Sequence, residues 1–567
     1  MTVRTAKPHV EGQESVDGPG SRGRVALVLA SLVALLGAVV RTYAYARYSD
    51  LPSDFDGPMV FRQKYLLEHH SFLLHDVPVY SYWSSGVNTR LGFFLSEVLG
   101  ALGIAFEQLT HLPSFVLHLA VFQAGLLGLA LLLLGKRWRY LRLWHLAVVL
   151  LFADAASPTL LNFTTGRSAG YNHTGYSFLL ILAIGAVYVS ALSRFQRYLL
   201  LLLLAVAAPV LYHSAGFLVV TFLLLLWLGT TLLRMGHLMP SPLPIVVYYL
   251  AYQTYVSTQY FGELVAGVRD VLTLAFLRRE PSVVVSTSGV KLGPVDLQYV
   301  HLVLYACLLV PVSYVALGGL RPALQRWRRG VEGPMDADQD RLRYWLLVVS
   351  LMGALALFGL AFGVRFSEEF LINRIAVYLA LPTILAVAYI FRYQRPAIGW
   401  LLGLLPLVVL VSLASFWVQS STVYVSTRLT PAEAEGYRWL AARLEPGDVV
   451  FTDFRLSGPF IADGHFRVLG ITGEGDEPTR ELLRRIYYTH DYRTISPALR
   501  QLRTYHDHES PNYLFLSRLM QEPYPAINGY GGHFDPVPPR FFTLLSKVPG
   551  WKLVYSNTQV LIYRREA

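Results

Sequence analysis

Cysteine is nearly absent from this chain. Cys307 is the one thiol among 567 residues, so no disulfide can form within the chain, and the redox compartment stays open. Charge is also scarce: Asp, Glu, Lys and Arg make up 15% of the residues, against about 25% in soluble proteins. Hydrophobic residues reach 54% and mean hydropathy is +0.42. A water-soluble globule is excluded, and the chain reads as an integral membrane protein. The signatures of familiar soluble enzymes are missing too. No phosphate-binding G-x-x-x-x-G-K-[ST] occurs, no H-E-x-x-H, and no cysteine pair for zinc. Gly529-Tyr530-Gly531-Gly532 follows no predicted strand and opens no helix, so it reads as a turn. No internal repeat of fixed period is present.

What is there is a series of apolar runs. A bilayer core takes about 20 apolar residues per helix, which predicts spans near 25–43, 114–134, 144–162, 176–193, 198–212, 215–233, 243–259, 298–319, 344–364, 373–391 and 398–418. Residues 1–24 are polar and read as a disordered cytoplasmic segment. Val25 to Val40 reads as an uncleaved anchor, because no small-residue cleavage site precedes Arg41. The formal net charge of +11 sits in short loops between spans rather than in a patch for nucleic acid, which is not expected as a partner. With the N-terminus inside, the inner loops carry Arg22 and Arg24; Lys136, Arg137, Arg139 and Arg142; Arg194 and Arg197; Arg234; Arg321, Arg326, Arg328 and Arg329; and Arg392 and Arg395. This is the placement that membrane orientation requires. The expected fold is a polytopic α-helical membrane domain over 25–419, with about eleven spans, an inner N-terminus and an outer C-terminus.

The outer segments differ in character. Residues 44–113 form a long first loop with carboxylates, Tyr80, Tyr82 and Trp83, and an apolar stretch, Leu91 to Phe106, suited to the membrane interface. Residues 260–297 form a second large loop containing Arg278 and Arg279. Smaller outer loops hold Arg167 to Tyr176, Tyr212-His213-Ser214, and Arg365 to Arg374. Long loops gathered on one side of a membrane favour a shared site there. Near Val423 the composition becomes that of a soluble domain, and 420–567 is expected to be an extracytoplasmic α/β domain. Thr430-Pro431-Ala432-Glu433 predicts a capping box with proline at the first helical position, opening a helix through Leu444. Asp448 to Asp453 and Tyr513 to Leu516 predict strands, and Trp551 to Tyr563 a β-hairpin.

Two motifs give this architecture a likeness. The first is Ser53-Asp54-Phe55-Asp56-Gly57-Pro58, just past the first span. The second is Asn373-Arg374-Ile375-Ala376-Val377-Tyr378-Leu379-Ala380-Leu381-Pro382. One span followed by an acidic motif, a long outer loop, many further spans and an outer α/β domain resembles the GT-C glycosyltransferase superfamily. The W-W-D-Y-G motif of oligosaccharyltransferase catalytic subunits is missing, which argues against that branch. The resemblance implies a polyprenyl-phosphate-linked sugar donor and a glycan, lipid or protein acceptor, meeting at the outer face of a cell membrane.

Such a transfer needs a base for the acceptor hydroxyl, and Asp54 is the first candidate with Asp56 the second. Both also read as solvated loop acids. A departing lipid phosphate needs cations, which Arg374 and Arg365 supply, with Arg278 and Arg279 behind them; Arg374 also reads as a snorkelling interface arginine. Glu368 with Glu369 reads as an acceptor or metal contact or as a solvated turn. His213 reads as a phosphate contact or an interfacial cap, and Asp154 as a second acid. Paired carboxylates are compatible with a divalent cation, Mg²⁺ or Mn²⁺, without requiring one. A transporter or flippase of lipid-linked or polar substrates, and a polysaccharide polymerase or assembly subunit, are the competing functions. Paired repeats, common in transporters, are not detected.

Overall fold

The computed structural model describes residues 51, 56–72, 94–112, 173–190, 192–232, 241–257, 309–318, 345–354, 429–471, 477–502, 509–521 and 537–566, together with isolated positions between them. Two helices come from the expected first outer loop, α1 (Asp56–His69) and α2 (Phe94–Thr110). Four more occupy the consecutive spans expected from 176 to 259: α3 (His173–Val189), α4 (Arg194–Leu211), α5 (His213–Leu232) and α6 (Leu243–Tyr255). Two apolar helical segments follow, α7 (Leu309–Gly318) and α8 (Trp345–Ala354). The spans expected near 25–43, 144–162 and 398–418, and most of those near 114–134 and 373–391, lie outside the described residues.

Helix α4 is the hub, touching α2, α3, α5 and α6. Among the described residues it is the one helix long and apolar enough to cross a membrane, at 18 residues and mean hydropathy 1.5. Its start is fixed by a capping box. The Ser193 hydroxyl accepts from the Gln196 N–H at 3.3 Å, and the Gln196 side chain accepts from the Ser193 N–H at 3.2 Å. Arg197, one turn in and buried, donates to the carbonyls of Ser190 at 3.1 Å and Leu192 at 2.6 Å. It thereby satisfies carbonyls left over where α3 ends. The outer loop expected at Tyr212-His213-Ser214 is shorter than the sequence implied. Tyr212 alone is extended (φ −164°, ψ 129°), and His213 already opens α5. Gly216 lets this corner close, since a Cβ there would fall 2.8 Å from the Pro209 side chain and 2.9 Å from the Tyr249 ring.

The bundle core is aliphatic, built from Ile184, Leu201, Ala208, Leu223, Val312 and Leu346 among others. Polar links also join the helices: the Tyr248 hydroxyl donates to the Val206 carbonyl at 3.1 Å, and Ser313 and Ser350 share a hydrogen bond of 2.7 Å. Such bonds are the usual adhesive between helices in lipid.

The C-terminal domain is a mixed sheet covered on both faces. Between α6 and α7 in the chain, Lys291–Leu292 (β1) and Val295–Asp296 (β2) form a minimal antiparallel ribbon. The main sheet comprises β3 (Val450–Asp453), β4 (Val468–Ile471), β5 (Tyr513–Ser517), β6 (Trp551–Ser556) and β7 (Val560–Arg565), in the order β4-β3-β5-β7-β6. β3 runs parallel to β4 and β5, while β7 is antiparallel to both of its neighbours. The strand period of two divides the residues cleanly. Val450, Tyr513, Phe515, Val560 and Ile562 face α9 (Pro431–Ala441) and α10 (Phe454–Ala462). Phe451, Leu514, Leu516, Leu561 and Tyr563 face α11 (Glu477–Tyr488), α12 (Tyr492–Gln501) and α13 (Pro539–Leu545).

The capping box expected at Thr430 is present, with the Thr430 N–H on the Glu433 carboxylate at 2.9 Å. Glu433 is buried and also accepts from the Ser517 hydroxyl at 2.5 Å, which ties α9 to the end of β5. The helix ends at Ala441, not Leu444, because the chain turns ahead of Pro446-Gly447. The β6–β7 hairpin is closed by Asn557, whose side-chain oxygen accepts from the N–H groups of Gln559 at 3.0 Å and Val560 at 2.8 Å.

Candidate functional site

Helix α1, whose first residue is Asp56 in the acidic motif, packs both on α2 and on α10 of the C-terminal domain. Gly57, next in line, packs against the backbone of α10: a Cβ at that position would lie 2.4 Å from the Gly458 carbonyl oxygen and 2.8 Å from its Cα. One turn on, the Phe61 ring meets Phe466 edge to face, with centroids 4.8 Å apart. Gly464, left-handed at φ +82°, comes close to the same ring. The Lys64 ammonium then reaches Asp463 at 2.6 Å, and Asp463 also accepts from the Tyr437 hydroxyl. Gly57 thus meets Gly458 inside α10, and Phe61 and Lys64 meet Phe466, Gly464 and Asp463 just past its end, so α1 lies along α10 and the turn that follows it. Just before the motif, Leu51 packs against the apolar cluster that includes Leu456, Phe460 and Tyr437. The C-terminal domain therefore grips the chain on both sides of residues 52–56.

On another face, α1 packs on α2. Arg62 Nε lies 2.6 Å from Glu97 Oε1, with side chains 2% and 5% exposed. Gln63 beside it is buried, as are Ser96 on α2 and Tyr252, Gln253 and Ser257 near the end of α6. Tyr252 lies within electrostatic reach of Glu97. Glu97 belongs to the expected outer loop, outside the predicted spans. Burial lifts its carboxyl to about 7, against the opposing pull of the Arg62 guanidinium. Helix α2 turns its small and polar residues inward, Ser96, Glu97, Gly100, Ala101 and Gly103, and exposes Val98, Leu102 and Leu109. Gly103 gives room to buried His118, whose Nε2 would lie 2.2 Å from a Cβ there. The other ring nitrogen of His118 bonds the Tyr176 hydroxyl. An ion pair inside and leucines outside suit a helix lying in the interfacial zone expected for Leu91 to Phe106.

Of the residues nominated from sequence, the backbone of Asp56 is placed at the start of α1 and that of His213 at the start of α5. Their side chains, and Asp54, Asp154, Arg278, Arg279, Arg365, Glu368, Glu369 and Arg374 entirely, lie outside the described residues. Among the described residues no three His, Cys, Asp or Glu side chains converge as a metal site would require. Sequence reasoning passed over Arg62, Gln63 and Glu97, and over the Gly57–Gly458 contact. Glu97 carried a usable signal, being one acid inside an apolar stretch, and such acids are seldom idle. Gly458 carried none, since its role depends on a helix some 400 residues away in sequence.

No protein-family model and no curated protein matches the sequence. Solved structures do match. The oligosaccharyltransferase of Archaeoglobus fulgidus, in its apo form, aligns over 97% of this chain and 75% of its own, with a TM-score of 0.51 and 11% identity. ArnT from Cupriavidus metallidurans aligns over 95% of this chain in two structures at 12% identity. The apo state covers 98% of ArnT with a TM-score of 0.46, and the form bound to undecaprenyl phosphate 97% with a TM-score of 0.43. The chain has a GT-C-like fold. At 11% identity to the oligosaccharyltransferase, and without the W-W-D-Y-G motif, the likeness is one of fold.

Proposed function

We propose that this chain is a multi-pass membrane glycosyltransferase that transfers a sugar from a polyprenyl-phosphate-linked donor to an acceptor hydroxyl at the outer face of the membrane. The observation that carries this reading is the position of the acidic motif within a GT-C-like fold. Asp56, the last acid of the motif, opens α1, which packs on α2 of the first outer loop on one side and on the C-terminal domain on another. In the proposed step Asp54 takes the proton of the acceptor hydroxyl. The acceptor oxygen bonds to the sugar's anomeric carbon, and the bond from that carbon to the lipid phosphate breaks. The polyprenyl phosphate leaves with the electron pair, its charge matched by Arg374 and Arg365. Asp56 is the second candidate for that base, and His213 and Glu368 are assigned to substrate contacts near the phosphate. If Mg²⁺ or Mn²⁺ takes part, the Asp54–Asp56 pair is the set that would hold it, and its charge would serve the departing phosphate.

The reading is tested by incubating the purified protein with polyprenyl-phosphate-linked sugars and following release of polyprenyl phosphate by mass spectrometry. Release with transfer to a hydroxyl acceptor is expected. A protein that binds these lipids and leaves every one intact would count against catalysis and favour the transporter. A second expectation concerns Arg374→Ala. Loss of one charge-assisted phosphate contact costs about 1.5–3 kcal/mol, roughly tenfold to a hundredfold in kcat/KM at 1.4 kcal/mol per decade. Arg374→Lys should recover part of this, supplying charge without the two-pronged geometry. Unchanged donor kinetics in a well-expressed Arg374→Ala protein would remove Arg374 from the site.

A further inference from the structure

We propose that the C-terminal domain positions the acidic motif for catalysis through the contact of α1 with α10 and the turn after it, and that Gly57, Phe61, Gly458 and Phe466 are positioning residues for the transfer. This inference rests on the glycosyltransferase reading and adds a role for the outer domain within it.

The contact is close at a point that cannot yield cheaply. The group facing Gly57 is the backbone of Gly458, not the end of a flexible side chain, and the distance open to a methyl group there is 2.4 Å. Any side chain at position 57 must therefore push α10 and α1 apart. Position 57 lies one residue beyond Asp56 and three beyond Asp54, so the displacement falls on the motif itself. Other anchors join the same two parts: Phe61 packs against Phe466 and Lys64 pairs with Asp463 in the turn after α10, and Leu51 fixes the opposite side of the motif on the same domain. Leu51 and Gly57, on either side of residues 52–56, thus both pack on the same α/β unit, while the Arg62–Glu97 pair fixes α1 to the loop helix α2. A base must be held within a few tenths of an ångström of its working position, and a misplacement of about 1 Å can cost a hundredfold in rate. The domain supplies that constraint from outside the membrane.

The domain in this view need not touch the donor, so its loss from α1 should show in kcat rather than in donor binding. Gly57→Ala is expected to lower kcat roughly tenfold to a hundredfold with donor KM changed less than about twofold. Hydrogen exchange of peptides spanning residues 52–60 should rise, with thermal unfolding of the C-terminal domain unchanged. Phe466→Leu, a milder change on the other partner, should move kcat and exchange in the same directions by a few-fold. Phe466→Tyr, which keeps the ring contact, should restore both. Faster exchange at 52–60 with kcat intact would overturn the inference, because the motif would then work without the clamp. Unchanged exchange in both variants would overturn it as well. A wild-type protein silent toward every lipid-linked donor would instead fail the glycosyltransferase reading, while the exchange measurement still reports whether the domain holds the motif.

Discussion

Asp54→Asn is expected to lower the rate of sugar transfer by about 10²–10⁴, the usual contribution of a general base, while expression, membrane insertion and unfolding temperature stay near those of the wild type. Asparagine keeps the size of the side chain and part of its hydrogen bonding but cannot take up a proton near neutral pH. Asp54 lies past the first predicted span, and the substitution exchanges one polar side chain for another of the same size. Asp56→Asn should do less, since two residues along the chain its side chain leaves in another direction. Should both variants be equally inactive, and a chelator silence the wild type, the two carboxylates act together as ligands of a divalent cation. Normal transfer by Asp54→Asn would return the motif to a solvated loop and bring the transporter reading forward.

Glu97→Ala is expected to destabilise the protein by about 3–5 kcal/mol, because it strands the Arg62 guanidinium in a site from which water is excluded. The test is thermal unfolding in detergent at pH 8, above the value of about 7 to which burial lifts Glu97, where the pair is charged. Replacing both residues at once, Arg62→Met with Glu97→Leu, should recover most of the loss, since a buried pair exchanged for apolar groups of similar size is often neutral. The pH profile has a definite sign. In the fold Glu97 binds its proton more tightly than in the unfolded chain, so its contribution favours the fold below about pH 4.5 and declines as pH rises to about 7. The span of that decline is on the order of 3 kcal/mol. Glu97→Gln should flatten it, and an unchanged profile in Glu97→Gln would show that the carboxyl titrates as it does in water.

The parts legible in the sequence were those governed by local physics. Thr430, Pro431 and Glu433 announce the start of α9 because capping is a matter of four neighbouring residues. The alternation in Trp551 to Tyr563 around Ser556-Asn557-Thr558 announces a hairpin for the same reason, and the β6–β7 pair follows it. Apolar length placed α3 to α6. The sheet order β4-β3-β5-β7-β6 was not legible, since parallel pairing of β3 with β4 and β5 depends on helices that cross between them. The same limit applied at the site. Asp54 and Asp56 attract notice by charge beside an apolar span. Gly57, Gly458 and Phe466 look ordinary until distant parts of the chain meet, and Arg62 looks like a solvated charge until burial pairs it with Glu97.

The central claim, that a lipid-linked sugar is cleaved and transferred on the membrane face bearing the C-terminal domain, is tested most directly in sealed vesicles. The protein is reconstituted in one orientation, fixed by protease access to residues 429–566, and a labelled polyprenyl-phosphate sugar is placed in either leaflet. Consumption of donor only in the leaflet on the side of the C-terminal domain, with free polyprenyl phosphate and glycosylated acceptor as products and none from Asp54→Asn, is the predicted result. Label that crosses to the opposite leaflet with its sugar–phosphate bond intact would contradict the account.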